Sequence, residues 1–444
     1  MFDQLLALQN PHWSGKLYEA DVERSCFSRL IDYLATGQVV AITGVRRAGK
    51  STLMKQLINY LISQEKIAAE RLMFVNLEHP YLSPYREEIS ALERLYEDYL
   101  KMMQPEGQVY LFLDEVQFFK DWPLFVKAHH ETKQVRFVVT GSNAAMVSSD
   151  LITLLSGRSL PLEILPFSLR EIAVSRGIEV DSCHALACNR PALRHLLDEM
   201  LEYGGFPSIV VGDHKRAAFD LLGAHARTVL LQDVVPRLAM RKPAELEQLY
   251  TYLMSHIGKL FTYAGLGKLF SLSDKSIKEY LQALADAHLA YEVDLFSYSL
   301  KQQLRSPKKA YSIDTGQANA VGFQFSSNRG RLLENLIFID LKRLGLAVYY
   351  YKTKEDCEVD FLIKEGSTIA LVQVTWDLHD PSVLERELRS LQQAMKELSC
   401  SNATLLMAES PLHPLPSIDQ IQLLSADEYL LLPPKERKQR LFLR

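Results

Sequence analysis

The residues best suited to chemistry lie in the stretch ITGVRRAGKSTLMKQL, residues 42–57. Gly44, Gly49, Lys50 and Ser51 fit the phosphate-binding pattern GxxxxGK[ST] between a strand and a helix. Glycines let the backbone N–H groups of such a loop point inward at phosphate oxygens. The lysine reaches the β- and γ-phosphates, and the serine hydroxyl binds Mg²⁺. The other predicted nucleotide contacts in this loop are Val45, Arg46, Arg47, Ala48 and Thr52.

A second candidate group ends the apolar run in LFLDEVQ, where Asp114 is followed directly by Glu115. A carboxylate at a strand end can complete the coordination shell of Mg²⁺, and the next carboxylate can act on the attacking water. Together with the glycine-rich loop, these acids predict ATP and Mg²⁺ as cofactors. We expect Ser51 and Asp114 to hold the metal ion, and Lys50 and Glu115 to be catalytic.

The apolar run at residues 135–142 ends in the polar sequence TGSN. If this strand lies between the first and third strands, Ser142 and Asn143 sit beside the γ-phosphate and sense it. A simple turn is the alternative interpretation. Phosphoryl transfer also spreads negative charge that a guanidinium can stabilise. Arg158, in the sequence LSGR, is the favoured catalytic arginine.

The elements that must position these residues are apolar runs separated by helical stretches. The runs lie at residues 39–42, 72–77, 109–114 and 135–142, with a fifth candidate at 160–165. Nearly continuous apolar strands that alternate with helices indicate a parallel sheet covered on both faces. The fold class predicted for this part of the chain is therefore α/β.

The bulk composition narrows the function classes. The chain has 444 residues, 48% of them hydrophobic, and a net charge of −4. A near-neutral charge gives no global signal for nucleic acid or membranes. Five scattered cysteines fit a reducing compartment. No apolar stretch approaches the roughly 20 residues that span a bilayer. We therefore expect a cytoplasmic protein with no membrane partner.

The motifs GVRRAGKST, FLDEVQ, TGSN, LSGR with LPFSLREI, and GGFP together resemble one group of bacterial and archaeal AAA-type ATPases. This group is similar to the archaeal ATPase branch of the STAND class and carries a conserved C-terminal domain of unknown function. The resemblance covers residues 19–377. It implies a sheet ordered 5-1-4-3-2 and a helical lid in which Pro207 approaches the nucleotide. From the residues alone, GGFP indicates a helix-breaking loop.

Residues 246–312 have the pattern of a winged helix, with TYAGLGKLF, a short turn and DKSIKEYLQALADAHLA forming a helix–turn–helix. Such a motif can place its second helix in the DNA major groove. The basic cluster that follows could contact DNA phosphates, and a solvated loop is the alternative. The residues of this cluster are Lys301, Arg305, Lys308 and Lys309.

Residues 313–444 resemble the PD-(D/E)xK nuclease core, with Glu334 and Asp360 at its first two positions. That chemistry needs carboxylates to hold a divalent metal ion and a lysine to position or activate water. Gln373 and Thr375 stand where an acid and a lysine are expected. We therefore expect a nuclease-like fold with little or no cleavage activity. The basic end, PPKERKQRLFLR, predicts a solvated tail or a contact with nucleic acid or an acidic partner.

The sequence as a whole predicts an ATP-hydrolysing switch of the AAA/STAND type whose nucleotide state moves a C-terminal module. The predicted domains are a P-loop core at residues 1–165, a helical lid at 166–245, a winged helix at 246–312 and a nuclease-like domain at 313–444. An ATP-regulated DNA-binding protein, a metal-dependent nuclease and a protein-interaction scaffold are the alternatives. A protein partner and an oligomer are compatible with all of them.

Overall fold

The computed structural model describes residues 2–19, 22–88, 90–142, 157–212, 215–238, 243–323, 328–376, 381–408 and 420–442. The chain divides into two compact units, Met1–Leu165 with Asp286–His288, and Pro166–Ala285 with Leu289–Arg444. Each unit contains its own apolar core. None of the helices in the described ranges combines the length and apolar character that a membrane crossing requires.

The first unit is built on a five-stranded, fully parallel sheet. Its strands are β1 Val39–Thr43, β2 Leu72–Asn76, β3 Val109–Asp114, β4 Val135–Gly141 and β5 Ser159–Glu163. Their order, β2-β3-β4-β1-β5, is the predicted order 5-1-4-3-2 viewed from the other edge, and this prediction is confirmed. All residues of β1 are buried, as expected for the centre of a sheet covered on both faces.

Helices that precede or connect these strands cover the sheet. They are α1 Asp3–Gln9, α2 Phe27–Ala35, α3 Lys50–Ser63, α4 Ala91–Met103 and α5 Trp122–Glu131. At the carboxyl edge, Thr43 of β1 is paired with Gly141 of β4, and Asn76 of β2 with Asp114 of β3. Polar residues that end or follow these strands are therefore gathered at one edge of the sheet.

The second unit contains two sheets. The smaller is antiparallel, in the order β6-β8-β7, and the larger is mixed, in the order β13-β12-β11-β10-β9. In the larger sheet β10 pairs antiparallel with both β9 and β11, whereas β12 pairs parallel with both β11 and β13. The strands are β6 Leu260–Phe261, β7 Ala290–Val293, β8 Lys308–Ser312, β9 Ala347–Lys352, β10 Glu358–Glu365, β11 Thr368–Thr375, β12 Ala403–Met407 and β13 Ile421–Ser425.

Most of the remaining chain after residue 165 is helical, including much of the region predicted to form the lid. The predicted helix–turn–helix corresponds to α11 and α12, which precede β7 and β8. The winged-helix assignment itself stays a prediction. The helices are α6 Leu169–Ser175, α7 Cys183–Tyr203, α8 Pro207–Val210, α9 Ala218–Val229, α10 Pro243–Ser255, α11 Tyr263–Phe270, α12 Asp274–Asp286, α13 Leu300–Arg305, α14 Thr315–Val321, α15 Arg329–Arg343, α16 Pro381–Leu398, α17 Ala426–Leu431 and α18 Pro434–Leu441.

The basic C-terminal segment is folded, so the prediction of a solvated tail is wrong. Its residues form α18, and Arg437 of that helix is fully buried. The Arg437 guanidinium pairs with the carboxylate of Asp340 on α15, which is also buried. Lys438 makes an ion pair with Glu365, whose Oε1 lies 2.6 Å from its Nζ. The positive charge of this segment therefore serves in part to attach it to its own unit.

Arg437→Ala is expected to lower the free energy of unfolding by about 3–5 kcal/mol, because it leaves the Asp340 carboxylate buried without its cation. The matched control is Arg440→Ala, which removes an exposed arginine from the same helix and should change stability by less than about 0.5 kcal/mol. Urea unfolding followed by circular dichroism measures both. Equal stability of the Arg437→Ala and wild-type proteins would contradict the docked position of α18.

Candidate functional site

The glycine-rich loop joins β1 to α3, as the sequence predicts. Gly44 has a φ of +147°, and a Cβ atom there would lie 2.3 Å from the carbonyl oxygen of Ile164. Gly49 immediately precedes α3 with a φ of +98°. These left-handed conformations and the close approach at Gly44 explain why glycine is needed at both positions. The loop thus leads directly into the N-terminus of α3, a position suited to phosphate.

Lys50 is buried at the centre of this loop. Its Nζ donates hydrogen bonds to the carbonyl oxygens of Gly44, at 3.1 Å, and Val45, at 3.4 Å. The same Nζ lies 3.6 Å from Oε1 of Glu115. The lysine predicted to bind phosphate and the acid predicted to act on water are therefore neighbours.

Arg24 supports the loop, and the sequence analysis did not identify it. Its guanidinium is buried and donates to the carbonyl oxygen of Ala48, at 2.8 Å, and to that of Leu165, at 2.5 Å. These bonds join the loop to the segment that follows β5. Arg24 lies outside every motif of the sequence, so no local signal pointed to it.

Asp114 ends β3 and is completely buried. Its Oδ1 accepts a hydrogen bond from Thr140 Oγ1 at 2.6 Å, while its Oδ2 accepts none from any described residue. Burial, reinforced by the charge of Glu115, raises the pKa of the Asp114 carboxyl; the Thr140 and Ser51 hydroxyls and Lys50 oppose this shift. A buried carboxylate oxygen without a donor, close to a serine hydroxyl, suits a hard cation that prefers oxygen ligands. These residues therefore fit Mg²⁺.

Glu115 is held in place by its backbone and by its side chain. Its φ of +57° is uncommon for a residue other than glycine, and its N–H donates to Thr140 Oγ1 at 2.9 Å. Gln117 Nε2 donates to Glu115 Oε2 at 2.6 Å and to Ser142 Oγ at 3.0 Å. Gln117 therefore links the predicted catalytic acid to the predicted γ-phosphate sensor. The sequence analysis quoted Gln117 within FLDEVQ but assigned it no role.

The predicted arginines differ in position. Arg46 is half-buried and its Nη1 lies 3.3 Å from Oε1 of Glu78, whereas Arg47 is exposed with a φ of +64°. Arg158 precedes β5 at the amino edge of the sheet, and its carbonyl oxygen accepts the N–H of Val39. A five-residue strand spans roughly 16 Å, so Arg158 lies far from the loop at the carboxyl edge. The prediction that Arg158 acts on phosphate within its own chain is therefore wrong.

Two predicted nucleotide contacts cannot be placed at the loop. Asn143 lies outside the described residues, and Pro207 begins α8 in the second unit. The GGFP turn forms a close junction within that unit. The Gly205 N–H donates to Asp314 Oδ2 at 2.6 Å, and the Gly205 carbonyl oxygen accepts the Phe167 N–H at 2.7 Å. Its interpretation as a turn between helices fits, and the approach of Pro207 to the nucleotide stays a prediction.

The basic cluster proposed to contact DNA is divided by the structure. Lys301 and Arg305 are exposed on α13, but Lys308 and Lys309 are buried in β8. Lys308 forms an ion pair with Asp294. The prediction that Lys308 and Lys309 contact DNA phosphates is therefore wrong, since neither side chain is accessible to a large ligand. DNA contact by the two exposed residues stays a prediction.

The residues compared with a nuclease site do come together. Oε1 of Glu334 and Oδ1 of Asp360 lie 3.0 Å and 3.4 Å from Nζ of Lys309. Gln373 Oε1 accepts the Asp360 N–H at 3.0 Å, and Gln373 Nε2 donates to Glu387 Oε2 at 2.7 Å. The structure therefore supplies a lysine that the third motif lacks. No local signal indicated the burial of Lys309, because both faces of β8 are buried and the neighbouring Lys308 has the same charge.

Known proteins resemble this chain along most of its length. An uncharacterized protein, MJ1544, of Methanocaldococcus jannaschii is 30% identical over 380 residues, which cover 84% of this chain and 82% of that protein. The chain belongs to the same family as MJ1544. Another uncharacterized member, from Haemophilus influenzae, is 29% identical over 356 residues and covers 79% of this chain and 85% of its own.

Residues 36–173 of this chain match a protein family described as "AAA domain". The predicted AAA-type core, of the ATPase type, is thereby confirmed. Residues 194–328 and 329–424 match two domains of unknown function, DUF8612 and DUF4143. These matches name no activity, so the winged helix and the nuclease-like fold stay predictions.

Solved structures with partial similarity include an Hsp104 complex and a STAND protein. The Hsp104:casein complex of S. cerevisiae aligns with a TM-score of 0.34 and 12% identity, covering 63% of this chain and 52% of that chain. A STAND protein with a tetratricopeptide repeat sensor from Pyrococcus horikoshii aligns with a TM-score of 0.27 and 12% identity, covering 74% of this chain and 46% of that chain.

Thr140→Val is expected to lower the free energy of unfolding by about 1–3 kcal/mol, because the buried Glu115 N–H and Asp114 Oδ1 both lose their partner. Thr132→Val removes an exposed hydroxyl that bonds only within its own turn and should cost less than about 0.5 kcal/mol. Urea unfolding compares the two variants. Similar small losses in both would contradict the bridging role of Thr140.

Proposed function

We propose that this protein hydrolyses ATP to ADP and phosphate, and that its nucleotide state moves the C-terminal part of the chain. The observation that carries this proposal is the convergence of three side chains at one edge of the AAA domain. Lys50 lies 3.6 Å from Glu115, and beside them Asp114 keeps a buried oxygen without a donor among the described residues. A lysine, an acid that can act on water and a carboxylate that can bind a metal ion are the parts that phosphoryl transfer from ATP requires.

The roles follow from these positions. Lys50 and the N–H groups of the loop bind the β- and γ-phosphates, and Ser51 and Asp114 hold Mg²⁺, which neutralises phosphate charge when it is bound. Glu115 accepts a proton from the attacking water. The new bond joins the water oxygen to the γ-phosphorus, and the bond to the bridging oxygen of ADP breaks. Ser142 reports the γ-phosphate to Glu115 through Gln117.

Coupling to the second unit is the less direct part of this proposal. It is supported by the family's AAA domain and by the resemblance to STAND switches, in which a lid closes over the nucleotide. Cleavage of nucleic acid is not favoured, because Gln373 and Thr375 stand where the nuclease pattern needs an acid and a lysine. DNA-dependent regulation retains only Lys301 and Arg305 as exposed members of its predicted contact surface.

Lys50→Ala should abolish ATP binding, whereas Glu115→Gln should keep binding and reduce the rate of hydrolysis by about 10²–10⁴-fold, the usual contribution of a general base. Binding is measured with a fluorescent ATP analogue and hydrolysis by phosphate release. Lys101→Ala, at an exposed position of α4, should leave both unchanged.

Unaltered binding and hydrolysis of ATP by the Lys50→Ala protein would contradict the proposed function. The same assay with duplex DNA added or withheld separates the partner classes. Stimulation of wild-type hydrolysis by DNA would favour a nucleic-acid partner, and indifference would favour a protein partner.

A further inference from the structure

The second unit contains a lysine surrounded by three carboxylates. Nζ of Lys309 lies 2.7 Å from Oε1 of Glu358, 3.0 Å from Oε1 of Glu334 and 3.4 Å from Oδ1 of Asp360. The Lys309 side chain is only 2% exposed. We call these four residues the carboxylate cluster. It lies outside the AAA domain, and the proposed ATP chemistry does not use it.

Strand alternation explains why these residues meet. Side chains two positions apart on a strand share one face, so Lys309 and Tyr311 of β8 point together, as do Glu358 and Asp360 of β10. Glu334 approaches both pairs from α15, and its Oε1 accepts a hydrogen bond from the Tyr311 hydroxyl at 2.6 Å. The cluster therefore joins three elements that are distant in sequence.

The negative charge of the three acids requires a cation among them, and the ammonium group of Lys309 supplies it. Glu334 and Asp360 are mostly buried and Glu358 is half-buried. Neighbouring carboxylates repel each other, and a charge removed from water is tolerated only when it is paired. Burial by itself lowers the pKa of Lys309, but Tyr311 and the three acids outweigh it and hold that pKa well above its usual value. Burial and the charge of Glu334 raise the pKa of Asp360 above its usual value, whereas Lys309 opposes this shift. The lysine is thus the counter-ion of the cluster.

The residues present do not fit a metal ion while Lys309 is in place. The ammonium group of Lys309 already occupies a position within 3.4 Å of one oxygen of each of the three carboxylates. Gln373 is held by other partners, because its amide oxygen accepts the Asp360 N–H and its amide nitrogen donates to Glu387. The other oxygen of Asp360, Oδ2, accepts the Val374 N–H at 3.0 Å.

We propose that the carboxylate cluster is a cation site whose resident cation is the ammonium group of Lys309. This internal cation excludes divalent metal ions from Glu334, Glu358 and Asp360. Removal of its charge converts the same three acids into a site for a divalent cation with oxygen preference. The cluster is in this sense a metal site closed by the protein's own side chain.

The test measures Mn²⁺ binding to the nucleotide-free full-length protein by electron paramagnetic resonance. Wild type should bind the same number of Mn²⁺ ions as Asp360→Asn. Lys309→Met, whose side chain is one heavy atom shorter and uncharged, vacates the position of Nζ and should gain one Mn²⁺ per chain. That gain should disappear in the double variant Lys309→Met/Asp360→Asn.

Lys308→Met is the matched control, because it removes the adjacent buried lysine, whose partner is Asp294 rather than the cluster. It should gain no Mn²⁺ site. A wild-type Mn²⁺ site that Asp360→Asn removes would overturn the proposal, as would a folded Lys309→Met protein that gains none.

Stability provides a second readout in case Lys309→Met folds poorly. Mn²⁺ should then restore its circular dichroism spectrum and raise its Tm, because the metal ion replaces the lost ammonium, while the Tm of wild type stays constant. A Lys309→Met protein that remains unfolded at every Mn²⁺ concentration would contradict the proposal. Neither readout depends on ATP hydrolysis, so failure here is distinguishable from failure of the proposed function.

Discussion

A buried carboxylate requires a hydrogen-bond donor or a cation, and this constraint organises both units of the protein. In the first unit, Asp114 meets this requirement at one of its two oxygens. Thr140 donates to Oδ1, whereas Oδ2 has no donor among the described residues. In the second unit the requirement is met internally by Lys309. The same chemistry thus leaves one site able to accept a cation and the other already filled.

The first unit maintains its incomplete site through backbone geometry. The parallel sheet brings the ends of β1, β3 and β4 to one edge, so the loop, Asp114 and Thr140 are adjacent without any long side chain crossing the sheet. Glu115 adopts a left-handed backbone conformation at the point where its side chain meets Lys50 and Gln117. Unfavourable backbone conformations of this kind persist where the surrounding structure holds them, and they are concentrated at functional sites.

In the second unit, buried ion pairs join neighbouring strands and helices. Lys309 joins β8 to β10 and α15, and Arg437 joins α18 to Asp340 on α15. Such pairs contribute little net stability against apolar replacements, but losing one partner is costly. They therefore fix which elements pack together. Basic residues that the sequence analysis interpreted as possible nucleic-acid contacts form ion pairs inside this unit.

The sequence alone determined the parts whose chemistry is local. Gly44, Gly49, Lys50 and Ser51 lie in one short stretch between a strand and a helix, and apolar strand runs indicate a parallel sheet, so the AAA-type core could be predicted. The strand order came from resemblance to a known family, and the structure agrees with it.

Only the tertiary structure decided the roles of residues whose bonding partners are distant in the sequence. Lys309 has the same charge as the exposed Lys301, and only its contacts with Glu334, Glu358 and Asp360 make it internal. Arg24 and Gln117 were likewise missed because what they bond, not their type, gives them a role. Charge indicates that a residue needs a partner, but where that partner lies depends on how the strands and helices pack.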